Sequence, residues 1–190
     1  MIRDTRIGAM LALCTLLSGC LISLNPLSSP KDAAPDERLF GVWHSHDPGE
    51  DLVYLHVGRG KNGMTNAMMV EHQEDGTYKV FHYTAFPTKV DGITLLNVIS
   101  PEDHKDSRGY DIVRYEVDGR TLSLAVMSEE VVKQGINDGK LKGKVEPGAL
   151  GDTRITATGQ ELLAFIKAAD PAKLFPKSLK FERVADPAGG

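Results

Sequence analysis

Between Phe40 and Met127 three Asp-Gly pairs, Asp75-Gly76, Asp91-Gly92 and Asp118-Gly119, each separate two short runs rich in Val, Ile, Leu, Tyr and Phe. Glycine supplies the positive φ that a tight hairpin needs, and aspartate tolerates the same region. A chain that reverses this often leaves no room for the helical crossovers of a parallel sheet. The runs predict strands over residues 40–45, 52–57, 64–72, 77–85, 93–99, 110–117 and 121–127. Val113, Tyr115 and Val117 share one face of their strand, while Arg114 and Glu116 share the other. Residues 93–99 are apolar on both faces. Such a strand needs a core on one side and a second cover, such as a helix, on the other.

The last third changes character. Ser128 can cap a helix over residues 129–137, with two acids in its first turn and Gly139 just beyond its end. Thr158 and Glu161 have capping-box spacing, and Leu162, Phe165, Ile166 and Ala169 follow at helical intervals. Asp170-Pro171 opens a further turn through Phe175. Short strands are expected over residues 154–157 and 179–184, and residues 140–152, rich in Gly and Lys, read as a loop. The fold class is mainly β with minor α: an antiparallel sandwich or barrel, with helices in the C-terminal half.

The N-terminus carries Arg3 and Arg6, an apolar run from Ile7 to Leu17, and then Ser18-Gly19-Cys20. The run is shorter than the ~20 residues of a spanning helix and has the layout of a secretory signal. Leu17-Ser18-Gly19-Cys20 resembles the lipobox of bacterial lipoproteins. That resemblance implies cleavage after residue 19 and acyl chains on Cys20, which hold the protein on a membrane. Leu21, rather than Asp, follows the cysteine, which implies the periplasmic face of the outer membrane in a host with two membranes. Cys14 would leave with the signal and Cys20 would be consumed by lipid, so no disulfide or thiolate metal site is expected. Residues 20–38, with Pro26, Pro30 and Pro35 among Ser, Ala and charge, read as a flexible tether. One domain over residues 39–185 and a frayed tail over 186–190 complete the division.

Gly41-Val42-Trp43 opens the first barrel strand, and Arg183 stands in the last. These residues are similar to the Gly-x-Trp signature and late basic residue of the lipocalins and the wider calycin group. The resemblance implies a small antiparallel up-and-down, calycin-like β-barrel of about eight strands with one or two helices in the C-terminal half, in which Trp43 closes one end, Arg183 packs over its ring, and the interior binds a small, largely apolar ligand. A helix after the seventh strand departs from the lipocalin pattern. Met68, Phe81, Tyr83, Leu95 and Tyr115 are candidates to line a ligand pocket, and equally candidates to fill the barrel as plain core.

Gly58-Arg59-Gly60-Lys61-Asn62-Gly63 spells the dinucleotide motif letter for letter. It precedes a strand rather than a helix, so a hairpin loop is expected. His44 and His46 alternate on one strand, which aims both imidazoles to one side and makes them the metal candidates, with a third nitrogen from His56, His72 or His82. No Gly-x-Ser-x-Gly and no Ser, His and Asp arrangement supports catalysis, and no catalytic residue or cofactor is assigned. A net charge of −4 without clustered basic residues argues against nucleic acid. The expected function is a membrane-anchored, non-enzymatic lipoprotein of the cell envelope that binds a small apolar or amphipathic molecule. The alternatives are a filled barrel that docks an envelope protein, and a metal-binding protein.

Overall fold

The computed structural model describes residues 21–45, 52–73, 75–99, 109–147 and 152–184. The signal, Cys20, His46 and the tail lie outside them. Eight strands close an antiparallel barrel: β2 (Gly41–Ser45), β3 (Val53–Arg59), β4 (Thr65–His72), β5 (Tyr78–Val90), β6 (Ile93–Ile99), β7 (Asp111–Asp118), β8 (Thr121–Val126) and β11 (Leu179–Arg183). β2 to β8 pair in chain order, and β11 returns to close the ring between β8 and β2. This is the mainly β, up-and-down barrel with minor helix that the calycin resemblance implies, and its hairpins follow from the turn chemistry. The β5–β6 turn shows why: Asp91 and Gly92 sit at φ 47° and 80°, the conformation a two-residue hairpin requires.

A second layer covers one side of the barrel from outside. It holds α1 (Glu129–Asn137), α2 (Gly159–Ala168), α3 (Pro171–Leu174), and a three-stranded sheet of β1 (Leu21–Ser23), β9 (Gly143–Val145) and β10 (Thr153–Ile155). Ser128 caps α1, and Thr158 with Glu161 forms a complete capping box on α2. Leu162 and Ile166 of α2 pack with Leu95, Ile112 and Ala125, which point outward from β6, β7 and β8. The doubly apolar strand β6 thus has its two covers. Leu96 and Val98 face the interior and Leu95 faces the helices.

Two expectations are corrected here. Residues 21–38 do not form a free tether. Leu21, Ile22 and Ser23 pair with Thr153, Arg154 and Ile155, and Leu27 is buried in the outer core. The Leu27 N–H donates to Asn97 Oδ1 at 2.7 Å, and Asn97 Nδ2 donates to Phe86 O at 3.2 Å and Thr88 Oγ1 at 2.9 Å. A Pro- and Ser-rich segment cannot bury enough of itself to fold, but here it borrows partners from the barrel wall. Residues 140–152 are likewise not all loop. Gly143–Val145 pairs with β10, and Leu141 is buried. Gly143 is required there, because a Cβ would lie 2.8 Å from the Arg154 carbonyl oxygen.

Candidate functional site

The lower end of the barrel, where β2 begins, is sealed by the chain leading into it. A 3-10 turn over Glu37–Leu39 is capped by Asp36, whose side chain accepts from the Arg38 N–H. The Trp43 Nε1–H donates to Leu39 O at 2.8 Å, and the Arg183 guanidinium lies 4.1 Å from the centre of the Trp43 ring. Arg183 also donates to the carbonyls of Phe40 and Arg38. Gly41, at φ 135°, makes this possible, because a Cβ there would sit 2.5 Å from Arg183 Nη1. Tyr115 donates its hydroxyl to Asp36 at 3.0 Å. The hydrogen bond from the Arg38 side chain, helped by that from Tyr115, holds the Asp36 carboxyl down at about 2. Burial, with Asp36 beside it, pushes the Tyr115 hydroxyl up.

Above this seal the barrel interior holds a partly open cavity of about 100 Å³. Leu55, Val57, Ala67, Ala85, Val98 and Leu124 are among its walls, and Thr65 is its one hydroxyl apart from that of Tyr83. Thr65 is 2 % exposed, and its Oγ1 has no hydrogen-bond partner among the described residues. At the upper end of β7, strand alternation places Asp111 on the interior side, paired with Val98. Burial raises its carboxyl to about 7.

The sequence candidates divide between the two faces of the wall. Tyr83 lines the cavity, Phe81 stacks on it with ring centroids 6.5 Å apart, and Tyr115 belongs to the interior core but spends its hydroxyl on Asp36. Leu95 and Met68 point outward, so neither lines the pocket. Leu95 belongs to the helix-covered core, and Met68 opens on a surface groove. Alternation sets this, since Met69 and Leu96 are the inward neighbours, and runs apolar on both faces conceal the phase. The missed wall residues, Ala67 and Ala85, lie two positions from Met69 and Tyr83, which is the signal that could have found them.

His44 faces outward, with its ring 6.3 Å from that of Tyr54. Its proposed metal partner His46 lies outside the described residues. Among the described residues no three His, Cys, Asp or Glu side chains gather as a metal site. The glycine motif is a hairpin loop between β3 and β4, with Asn62 and Gly63 at φ 55° and 76°. No helix among the described residues is long and apolar enough to cross a membrane. Comparison with protein-family models, with curated proteins and with solved structures finds no match to this chain.

Proposed function

We propose that the chain is a cell-envelope lipoprotein, anchored by acyl chains on Cys20, whose barrel binds one small apolar or amphipathic molecule. The supporting observation is the apolar cavity inside the barrel, above the Trp43 floor. Its size narrows the ligand. Pockets for drug-sized molecules hold roughly 300–1,000 Å³, whereas an engineered apolar cavity of roughly 150 Å³ takes up benzene or xenon. A space of about 100 Å³ suits a small ring or the end of a single slender chain, with Thr65 as the polar contact. Because β1 starts at Leu21, the lipid would be fixed directly to the folded body, with no tether to lift the barrel off the bilayer.

Native mass spectrometry and extraction of the protein purified from its host test this reading. A stoichiometric apolar molecule, absent from an Ala67→Leu variant that folds normally, is the expected result. A bare mass that added alkanes, short fatty acids and aromatics leave unchanged contradicts it. The second reading, a barrel that serves only as a scaffold for docking an envelope protein, is favoured by the cavity being smaller than ordinary ligand pockets. The bare mass would support that alternative.

A further inference from the structure

His56, Met68 and His82 stand in one row on the outer face of the barrel. Register sets His56 of β3 opposite Met68 of β4, and Met68 opposite His82 of β5. Three consecutive strands therefore each contribute one side chain, with the thioether in the middle. Directly opposite residues in an antiparallel sheet have Cβ atoms ~4.5–5.5 Å apart. At that spacing an imidazole on either flank can bring a ring nitrogen to a point above the sulfur. Their inward neighbours Leu55, Val57, Ala67, Met69 and Tyr83 line the cavity, so the row belongs to the opposite side of the same wall.

The row lines an open surface groove of about 520 Å³, bordered by Val42, Asn66 and Thr84. Met68 is half-buried and both histidines are exposed. Neither imidazole is engaged in a hydrogen bond or ion pair among the described residues. Among the described residues no carboxylate lines the groove.

This donor set selects its ion. Hard dications such as calcium and magnesium need several oxygen ligands, which the groove does not supply. A thioether is a soft ligand and imidazole suits copper well, so one sulfur between two neutral nitrogens matches a cuprous ion. We propose that His56, Met68 and His82 form a surface-open site for Cu(I). Three neutral ligands leave the bound ion with its single positive charge, which a solvent-exposed groove accommodates. Access from solvent makes the ion exchangeable. The site is independent of the cavity and of the lipid anchor.

Titration of the full chain under anaerobic conditions tests this, with Cys14→Ser and Cys20→Ser introduced so that no thiolate competes. The probes are Cu(I) against a chromogenic cuprous chelator, and Ag(I) as a redox-inert stand-in. Methionine methyl groups labelled with 13C provide the direct readout. Among the six methionines, the methyl resonance of Met68 should shift on addition of one equivalent of either ion, and zinc should leave it in place. Loss of even a second-shell partner weakens metal sites about 10- to 100-fold. Met68→Leu, His56→Gln and His82→Gln should therefore each weaken binding at least about tenfold. Leucine conserves the volume of methionine, and circular dichroism confirms that the variant folds. A Met68 resonance that stays put at saturation, Met68→Leu binding as tightly as the parent, or zinc shifting the resonance equally would each overturn the proposal.

Discussion

One sheet separates two apolar cores, and they are packed differently. In the outer core, between barrel and helices, Leu95, Val132, Ile155, Leu162 and Leu174 are all 0 % exposed. Inside the barrel Tyr83 and Leu96 are each 9 % exposed and Leu55 and Val98 each 8 %, and all four line the cavity together with the more deeply buried Leu39, Leu122 and Phe181. The same chain thus centres one core on fully buried side chains and leaves space in the other. Small residues account for the difference. Ala67 and Ala85 stand on adjacent strands where larger side chains would fill the space. An unfilled volume forfeits dispersion contacts, which the proposed guest would restore.

Substitutions at six positions probe the two cores and the ends of the barrel, beginning with the largest effect. Leu162→Ala in the outer core should cost about 2–5 kcal/mol in urea unfolding, because fully packed surroundings cannot collapse onto the void. Arg183→Met at the sealed floor should cost roughly 2–3 kcal/mol, since two carbonyls lose charged donors and the Trp43 ring loses its cation. Fluorescence of that sole tryptophan should report the opening. Asn97→Ala should cost about 1–3 kcal/mol by leaving the Leu27 N–H and its buried neighbours unsatisfied. Faster proteolysis within residues 24–36 would show that the strap over the barrel has loosened.

Asp111→Asn tests the upper end of the interior through pH. The folded carboxyl titrates near 7 because of burial, above its ordinary value near 4. Its contribution to stability is therefore complete below about pH 4 and is lost as pH rises through about 7. The variant should melt a few degrees above the parent at pH 8 and at about the same temperature at pH 4. Asp36, held down at about 2, has the opposite sign. Its contribution is present above about pH 4 and is lost as pH falls toward 2. The smallest effect should come from Ala67→Val. A methyl pair added to the cavity should stabilise the protein by roughly 0.5–1 kcal/mol, whereas adding bulk at Ala157, 0 % exposed in the outer core, should destabilise it.

Much of the barrel is legible in the sequence, because turns and caps are local. Asp91-Gly92 specifies its hairpin, Ser128 and Thr158 start their helices, and the ring stacking of Arg183 on Trp43 follows from a two-residue signature. What escapes depends on partners far away in the chain. Leu21 and Leu27 sit in a segment whose composition reads as unfolded, and only Thr153 and Asn97 reveal otherwise. The phase of β4 and β6 is hidden because both carry apolar residues on both faces, which puts Leu95 and Met68 on the wrong side. Alanines at 67 and 85 carry no signal of their own. The row of His56, Met68 and His82 appears only once register aligns three strands.

The most direct test of a guest-holding interior is methyl NMR of the Leu, Ile and Val side chains while benzene is added. Saturable shifts at Leu55, Val57, Val98 and Leu124, with Leu162, Ile166 and Leu174 unmoved, are the predicted result. Benzene that leaves the interior methyls in place, or shifts both cores alike, would contradict the claim that the barrel interior is built to hold a small apolar molecule.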